Sequence, residues 1–304
     1  MTQRRNAFAL ATIVLFAAST TSGLAAKRTF VSQDYDHELT TGLIHSPDSE
    51  MFSESVPRQA TTDVHVVPGH ASLRGIAGPV ENQGACGSCW DFSLTSALRG
   101  TYIQQGRDPG RLSFNYLLNC DRQMYGCGGG SFSAAAYLTN PRGAPAYGSD
   151  GPYIARQSAC VQRPPVASSV SYHMLGVRGQ NPSFRDIAYV VGVLHRPVAI
   201  DVFADRTRKS YRGGVYDACT NDNSRRTNHM VVIEGYSCEG AVDGNGNCRF
   251  DADGNLPGGV GTWLIRNSWG VNWGDRGYIT TKATDAYGRR CNAVASDALY
   301  FDVD

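Results

Sequence analysis

Nine cysteines, at positions 86, 89, 120, 127, 160, 219, 238, 248 and 291, constrain this 304-residue chain more than any other feature. What they can become depends on the compartment, and the first residues bear on that. Arg4 and Arg5 precede an apolar run from Ala7 to Ala18, which gives way to small residues ending in Gly23, Leu24, Ala25 and Ala26. This is the layout of a secretory signal peptide spanning residues 1–25, with Gly23 and Ala25 as the small side chains at the cleavage positions. The run is too short for a permanent anchor, since a spanning helix needs about twenty apolar residues. An exported chain with so many cysteines is expected to be crosslinked, and the odd total leaves one thiol over. Which sulfur stays free decides what the chain can do.

Composition narrows the choices further. At 41% hydrophobic and 18% charged, the chain has enough apolar material for one large domain or two compact lobes, which excludes a disordered or fibrous protein. The 28 basic and 27 acidic side chains give a formal net charge of +1, so no general field draws it to nucleic acid or to an anionic membrane. With no second long apolar segment, the mature protein is expected without a membrane span, in a periplasm, a lysosome- or vacuole-like lumen, or the medium.

Residues 26–64 are polar, carry no cysteine and show no sustained period, which fits either a flexible linker or a pro-segment lying over a site. Cys89 to Gln104 reads as a helix with Phe92, Ala97, Leu98 and Ile103 on a buried stripe and Gly106 as the stop. Leu112 to Cys120 reads as a shorter helix with Ser113 as its cap. Gly126 to Gly130, with four glycines around Cys127, reads as an irregular loop of close approach. Beyond Ser171, the runs Pro197–Phe203, His229–Gly235, Thr262–Arg266 and Gly277–Thr281 carry strand signals. Helices first and strands later point to an α+β arrangement or to two lobes. Residues 239–261 are rich in Gly, Asp and Asn; Asp243, Asn245 and Asn247 imitate a calcium loop, but Gly254 stands where the bidentate acid belongs, so a disulfide-pinned loop is the better reading.

The chemistry concentrates at Gln83-Gly84-Ala85-Cys86-Gly87-Ser88-Cys89-Trp90. Cys86 to Trp90 matches C-G-[SA]-C-[WY], the signature around a papain or cathepsin nucleophile. His229 opens the apolar run Met230-Val231-Val232-Ile233, and Asn267-Ser268-Trp269-Gly270 is followed by Trp273-Gly274 and Gly277-Tyr278. In these three motifs, over roughly residues 65–304, the chain resembles the papain-like cysteine proteases. His229 follows Cys89 by about 140 residues, inside the family's band of roughly 130 to 150, whereas Asn267 follows by about 178, and the segment 239–261 accounts for the excess as an insertion.

The resemblance implies an α+β, papain-like two-lobed fold, with a helical lobe over about 75–170, an antiparallel β-barrel-like lobe over about 171–304 and an active-site cleft between them. It implies Cys89 as a nucleophile whose thiolate is favoured by a helix N-terminus and a neighbouring imidazolium, His229 as its proton partner, Asn267 as the orienter of that histidine, and the Gln83 side chain with the Cys89 N–H as oxyanion donors. Trp269 matches the ring that shields the histidine–asparagine bond. Gly129 and Gly130 match glycines that pair with an extended peptide. Phe132, Asp201, Met230 and Ser296 fall where a side-chain pocket is lined, and Asp201 there would admit a polar or basic side chain unless it is merely a solvated strand residue. Eight cysteines allow 105 pairings; the resemblance selects Cys86–Cys127, Cys120–Cys160 and Cys219–Cys291, which leaves Cys238–Cys248.

The partners so implied are peptide or protein substrates, the chain's own pro-segment as an intramolecular inhibitor, and cystatin-type inhibitors, acting on a monomeric zymogen with no metal and no cofactor. Two features depart from the pattern. Asp91 replaces a small apolar residue, and the pro-segment is short, as in some bacterial members. The stretch Ser131–Cys160 has no pair of adjacent histidines, hence no sign of an occluding loop, which favours endopeptidase action. Three other readings compete: a thiol–disulfide exchange site at Cys86-Gly87-Ser88-Cys89, a zinc site at Cys86, Cys89, Cys120 and Cys127, and a papain fold that binds without cleaving. The first leaves His229 and Asn267 unexplained, export and the surplus of cysteines favour disulfides over the second, and the presence of Gln83, Cys89, His229 and Asn267 together argues against the third.

Overall fold

Alternation along the strands decides how this chain packs, because it gives the sheet two apolar faces. A computed structural model describes residues 39–45, 58–59, 66–176, 181–217, 219 and 227–303; the signal peptide 1–25 and most of the segment 26–64 lie outside them. In strand β4 (Val198–Val202), Ala199 points to one side while Val198, Ile200 and Val202 point to the other; in β6 (His229–Ser237), Met230 and Val232 oppose Val231 and Ile233; in β9 (Ala298–Asp302), Leu299 and Phe301 oppose Ala298 and Tyr300. A period of two sends successive side chains to opposite faces, so each strand feeds two cores.

One core is closed by helix α1 (Cys89–Gln104), which buries Trp90, Leu94, Ala97 and Leu98 against the β4–β6–β9 face. Small polar residues let it sit close, and Ser93 Oγ donates to Val231 O at 2.8 Å. Gly106, at φ +73°, ends the helix as its position suggested. Helix α2 (Phe114–Cys120) starts where Ser113 Oγ accepts from the N–H groups of Asn115 and Tyr116, the expected cap. The other core is closed by helix α3 (Phe184–Gly192), which was not apparent in the strand-rich second half. Its capping box joins Ser183 to Asp186, and Ile187, Ala188, Val190 and Val191 face the sheet. A fourth helix, α4 (Arg206–Lys209), is one turn long.

The remaining strands are β1 (Arg58–Gln59), β2 (His70–Ser72), β3 (Ser171–Leu175), β5 (Val215–Tyr216), β7 (Thr262–Arg266) and β8 (Tyr278–Lys282). The order is β1-β3-β9-β4-β6-β7-β8-β5, with β2 on β6. Most pairs are antiparallel, but β1 joins β3 and β5 joins β8 in parallel. The sheet therefore runs open from β1 to β5 among the described residues, where a barrel-like closure was expected.

The segment 239–261 is pinned by Cys238–Cys248 and does two structural jobs. Asn255 Oδ1 and Gly254 O accept from the first N–H groups of α3, at 3.4 and 2.9 Å. Gly246 O accepts from Gly69 N at 2.9 Å, and Val67 O accepts from Cys248 N at 2.9 Å, which stitches residues 67–69 to the loop.

Candidate active site

The N-terminus of α1 carries Cys89, and the loop before it is held rigid from both sides. Cys86 is bonded to Cys127, and Gly87 N donates to Cys127 O at 3.1 Å. The other crosslinks are Cys120–Cys160, Cys219–Cys291 and Cys238–Cys248, so Cys89 is the free cysteine and it is fully buried. Three of these pairs are those the resemblance implied and Cys238–Cys248 is the one it left over, and a crosslinked Cys86 removes the exchange and zinc readings.

Register brings the partners to that sulfur. His229 opens β6, and Asn267 follows β7, the strand hydrogen-bonded to β6. Asn267 Oδ1 accepts from Ser268 N at 2.8 Å and lies 2.8 Å from His229 Nε2. Because that atom is the amide oxygen, Nε2 carries the proton, and Nδ1 is left for other work. Nδ1 is buried without a hydrogen-bond partner among the described residues. The next backbone group, Met230 N, donates to Cys89 Sγ at 3.4 Å, which sets the sulfur beside the histidine's own backbone. Trp269 stacks on His229 with centroids 4.7 Å apart, and Trp273 packs edge-on against Trp269 at 5.1 Å. Gln83 is fixed by Ser268, whose Oγ donates to Oε1 at 2.5 Å while Gln83 N donates to Ser268 O at 2.8 Å, so its Nε2 faces the cleft.

The cleft is occupied by the chain itself. Gln83 Nε2 donates to Thr40 Oγ1 at 3.1 Å, and Trp269 Nε1 donates to Thr40 O at 2.9 Å. Farther along, Leu43 N donates to Asn228 O, while Gly42 O and Ile44 N pair with the N–H and C=O of Gly130, each bond between 2.9 and 3.1 Å. Gly129 and Gly130 are needed there: Gly129 sits at φ +120°, and a Cβ on Gly130 would come within 2.5 Å of the Trp90 ring. Leu43 packs on the apolar cluster that includes Phe132 and Met230. His45 Nε2 lies 2.8 Å from Thr227 O and 2.9 Å from Thr227 Oγ1, whose proton goes to Asp201 Oδ2 at 2.7 Å.

Asp201 is thus not a solvated strand residue: its second oxygen accepts from Asp297 N at 2.8 Å, and burial together with the Asp297 charge pushes its carboxyl up to about 7. Ser296 is half-buried and donates to Ala293 O. Asp91 is also buried, next to Thr95 Oγ1 at 3.0 Å, and burial holds its carboxyl well above the usual range.

With residues 40–45 in place, burial governs the electrostatics. It pushes the Cys89 thiol up to about 12 against backbone donors at Met230, Gly42 and Trp90. It lowers the His229 imidazole to about 3, aided by Arg208 and Lys209 and opposed by Asn267. Both groups are neutral in this covered state. A charged pair requires the covering segment to leave, because water and the imidazolium then stabilise the thiolate. Sequence reasoning missed Thr40, Thr227 and Ser268, whose positions acquire meaning only through contacts across the fold.

Comparison with known proteins gives a consistent result. Residues 70–300 match the family described as papain family cysteine protease. The chain is 31% identical over 230 residues to the thiol protease aleurain of Arabidopsis thaliana, covering 74% of this chain and 57% of that protein. It spans 57 to 64% of the length of the curated relatives it matches. Among solved structures, the digestive procathepsin L2 proteinase of Tenebrio molitor larval midgut matches with a TM-score of 0.69 at 26% identity, covering 90% of this chain and 81% of that one. The bromelain protease of Ananas comosus, in complex with the E64 inhibitor, matches with a TM-score of 0.59 at 27% identity, covering 78% and 100%.

Proposed function

This chain belongs to the papain family of cysteine proteases, and from that premise we propose that it is an exported cysteine endopeptidase made as a zymogen. The observation that carries the reading is the junction of one uncrosslinked sulfur, Cys89, with a histidine whose far nitrogen is held by Asn267 at 2.8 Å. Once uncovered, Cys89 is the nucleophile. Its sulfur attacks the substrate carbonyl as the thiolate, the imidazolium of His229 delivers its proton to the leaving amine, and water then hydrolyses the acyl-enzyme. The Gln83 amide and the Cys89 N–H hold the developing oxyanion. Asn267 fixes tautomer and ring orientation, and Trp269 keeps water off that bond.

Gly129 and Gly130 would receive an extended peptide along the edge that residues 42–44 now use, with Phe132 and Met230 forming an apolar seat. Asp201 stands opposite Met230 in the β4–β6 pairing and reaches His45 through Thr227. Residues 26–64 act as the intramolecular inhibitor, and a cystatin-type inhibitor would take the vacated cleft. Four disulfides suit an oxidising compartment, and among the described residues no helix is long and apolar enough to cross a membrane.

Exposure changes abruptly where maturation would stop: Val66 is 67% exposed and Val67 is 1% exposed. Mass spectrometry after incubation at mildly acidic pH with a thiol reductant should show wild-type chain shortened near residues 60–66 and cleaving a peptide substrate, while Cys89→Ala does neither. Equal peptide hydrolysis by Cys89→Ala would refute the assignment.

A further inference from the structure

Serines begin several helices of this chain, and one behaves differently. Ser113 Oγ accepts from two first-turn N–H groups of α2, and Ser183 Oγ accepts from Asp186 N at 3.1 Å in α3. Ser88 stands at the same position before α1, but its backbone, at φ −107° and ψ 18°, is not extended as theirs is, and its hydroxyl makes no capping bond. It lies instead 2.7 Å from the hydroxyl of Tyr153, 65 residues away. Tyr153 Oη also donates to the backbone carbonyl of Gln83 at 2.8 Å. A carbonyl only accepts, so the single tyrosine proton goes to Gln83 O, and the Ser88 proton is shared between the tyrosine oxygen and the carbonyl of Cys86 at 3.5 Å. One phenol thereby ties together the residue that supplies the oxyanion amide and the residue that precedes the nucleophile.

The bridge matters because of what it holds in place. Ser88 O accepts from Asp91 N at 3.0 Å and from Phe92 N at 3.1 Å, which starts α1 at the residue that carries the sulfur, where a helix favours negative charge. Phe92 holds the phenol ring edge-on, with centroids 4.9 Å apart, so the tyrosine is itself fixed by α1.

We propose that Tyr153 is a positioning residue of the active site, one whose hydroxyl ties the turn of Ser88 to the Gln83 loop, so that the N-terminus of α1 and the Gln83 amide keep their places beside the thiolate and the oxyanion. The inference rests on the reading of Cys89 as nucleophile.

Three variants of the full chain test it: Tyr153→Phe, Ser88→Ala and the double variant, each incubated under the same acidic reducing conditions as wild type and then freed of reductant. The readouts are the pH dependence of Cys89 alkylation by iodoacetamide, followed by mass, and kcat and KM on a peptide substrate. Tyr153→Phe should move the thiolate limb of the alkylation profile upward by about half to one pH unit and lower kcat about tenfold, with KM within about twofold. Ser88→Ala, which removes one arm of the same bridge, should move the limb the same way by less, and adding it to Tyr153→Phe should move it no further. A merely structural role predicts loss of folded protein with the limb in place in what remains. An unmoved limb in Tyr153→Phe, or a double variant shifted by the sum of the two singles, overturns the proposal. Alkylation reads Cys89 without a substrate, so a wild type inert towards peptides would count against the protease reading and not against this one.

Discussion

Gly42 packs against the backbone of the loop of the nucleophile, and replacing it with alanine should release the covering segment. A Cβ built there would lie 2.0 Å from Gly87 O and 2.3 Å from Gly87 C, both backbone atoms. Gly87 cannot yield, because it sits between the Cys86–Cys127 disulfide and Cys89 and donates to Cys127 O. The segment must therefore lift, and the three backbone bonds from Gly42 and its neighbours to Asn228 and Gly130 go with it. At about 1 kcal/mol net for each, the loss is about 3 kcal/mol, or roughly a hundredfold in the ratio of open to closed chain. The assay is the rate of Cys89 alkylation by iodoacetamide in the full chain at neutral pH without reductant, with chain length checked by mass so that maturation is not scored as opening. Cys89 is wholly buried in wild type, so its alkylation should be slow, and Gly42→Ala should react roughly a hundredfold faster while its melting temperature, set by the two cores, stays close to wild type. An alkylation rate within about threefold of wild type would refute the argument that residues 40–45 are what shuts the site.

Two further outcomes follow from the geometry. Asn267→Ala removes the acceptor of His229 Nε2, a bond worth about 1.5 to 3 kcal/mol when the ring is charged, so kcat should fall about 10- to 100-fold with little change in KM, read by steady-state kinetics on the matured enzyme. Arg266→Met leaves the Glu234 carboxyl buried beside Tyr278 without its cation, 3.7 Å away in wild type, and should cost about 3 to 5 kcal/mol at neutral pH. Burial already raises the Glu234 carboxyl. The folded variant then binds a proton that the unfolded chain releases, so denaturant melts should show the deficit shrinking as pH falls towards the ordinary carboxylate range.

What the sequence disclosed depended on how local its cause was. Helix α1 was legible because its apolar spacing, the small residues around it and Gly106 all act within one element; β7 was legible because Thr-Trp-Leu-Ile-Arg is a strand run bounded by Gly261 and Asn267. Helix α3 was passed over although Ser183 and Asp186 stood at capping-box spacing before Ile187, Ala188, Val190 and Val191, because its strand-like neighbours set the reading of the whole half. Asp201 shows the opposite limit. Its offset from the motifs placed it near a pocket, but only tertiary contacts reveal that Thr227 and Asp297 hold both of its oxygens. Thr40 and Tyr153 lie 43 and 70 positions from Gln83 and carry no motif; their importance comes from where the loops end up.

The stitching of Val67 to Gly69 onto the loop closed by Cys238 and Cys248 has one more consequence. Those residues hold their final partners while the upstream chain still lies in the cleft, and β2 continues them directly onto β6. Under the proposed maturation, excision ahead of Val67 would be a subtraction: a strip of chain, β1 included, would depart and bare its seat, while residues 67–69 kept the partners they already hold.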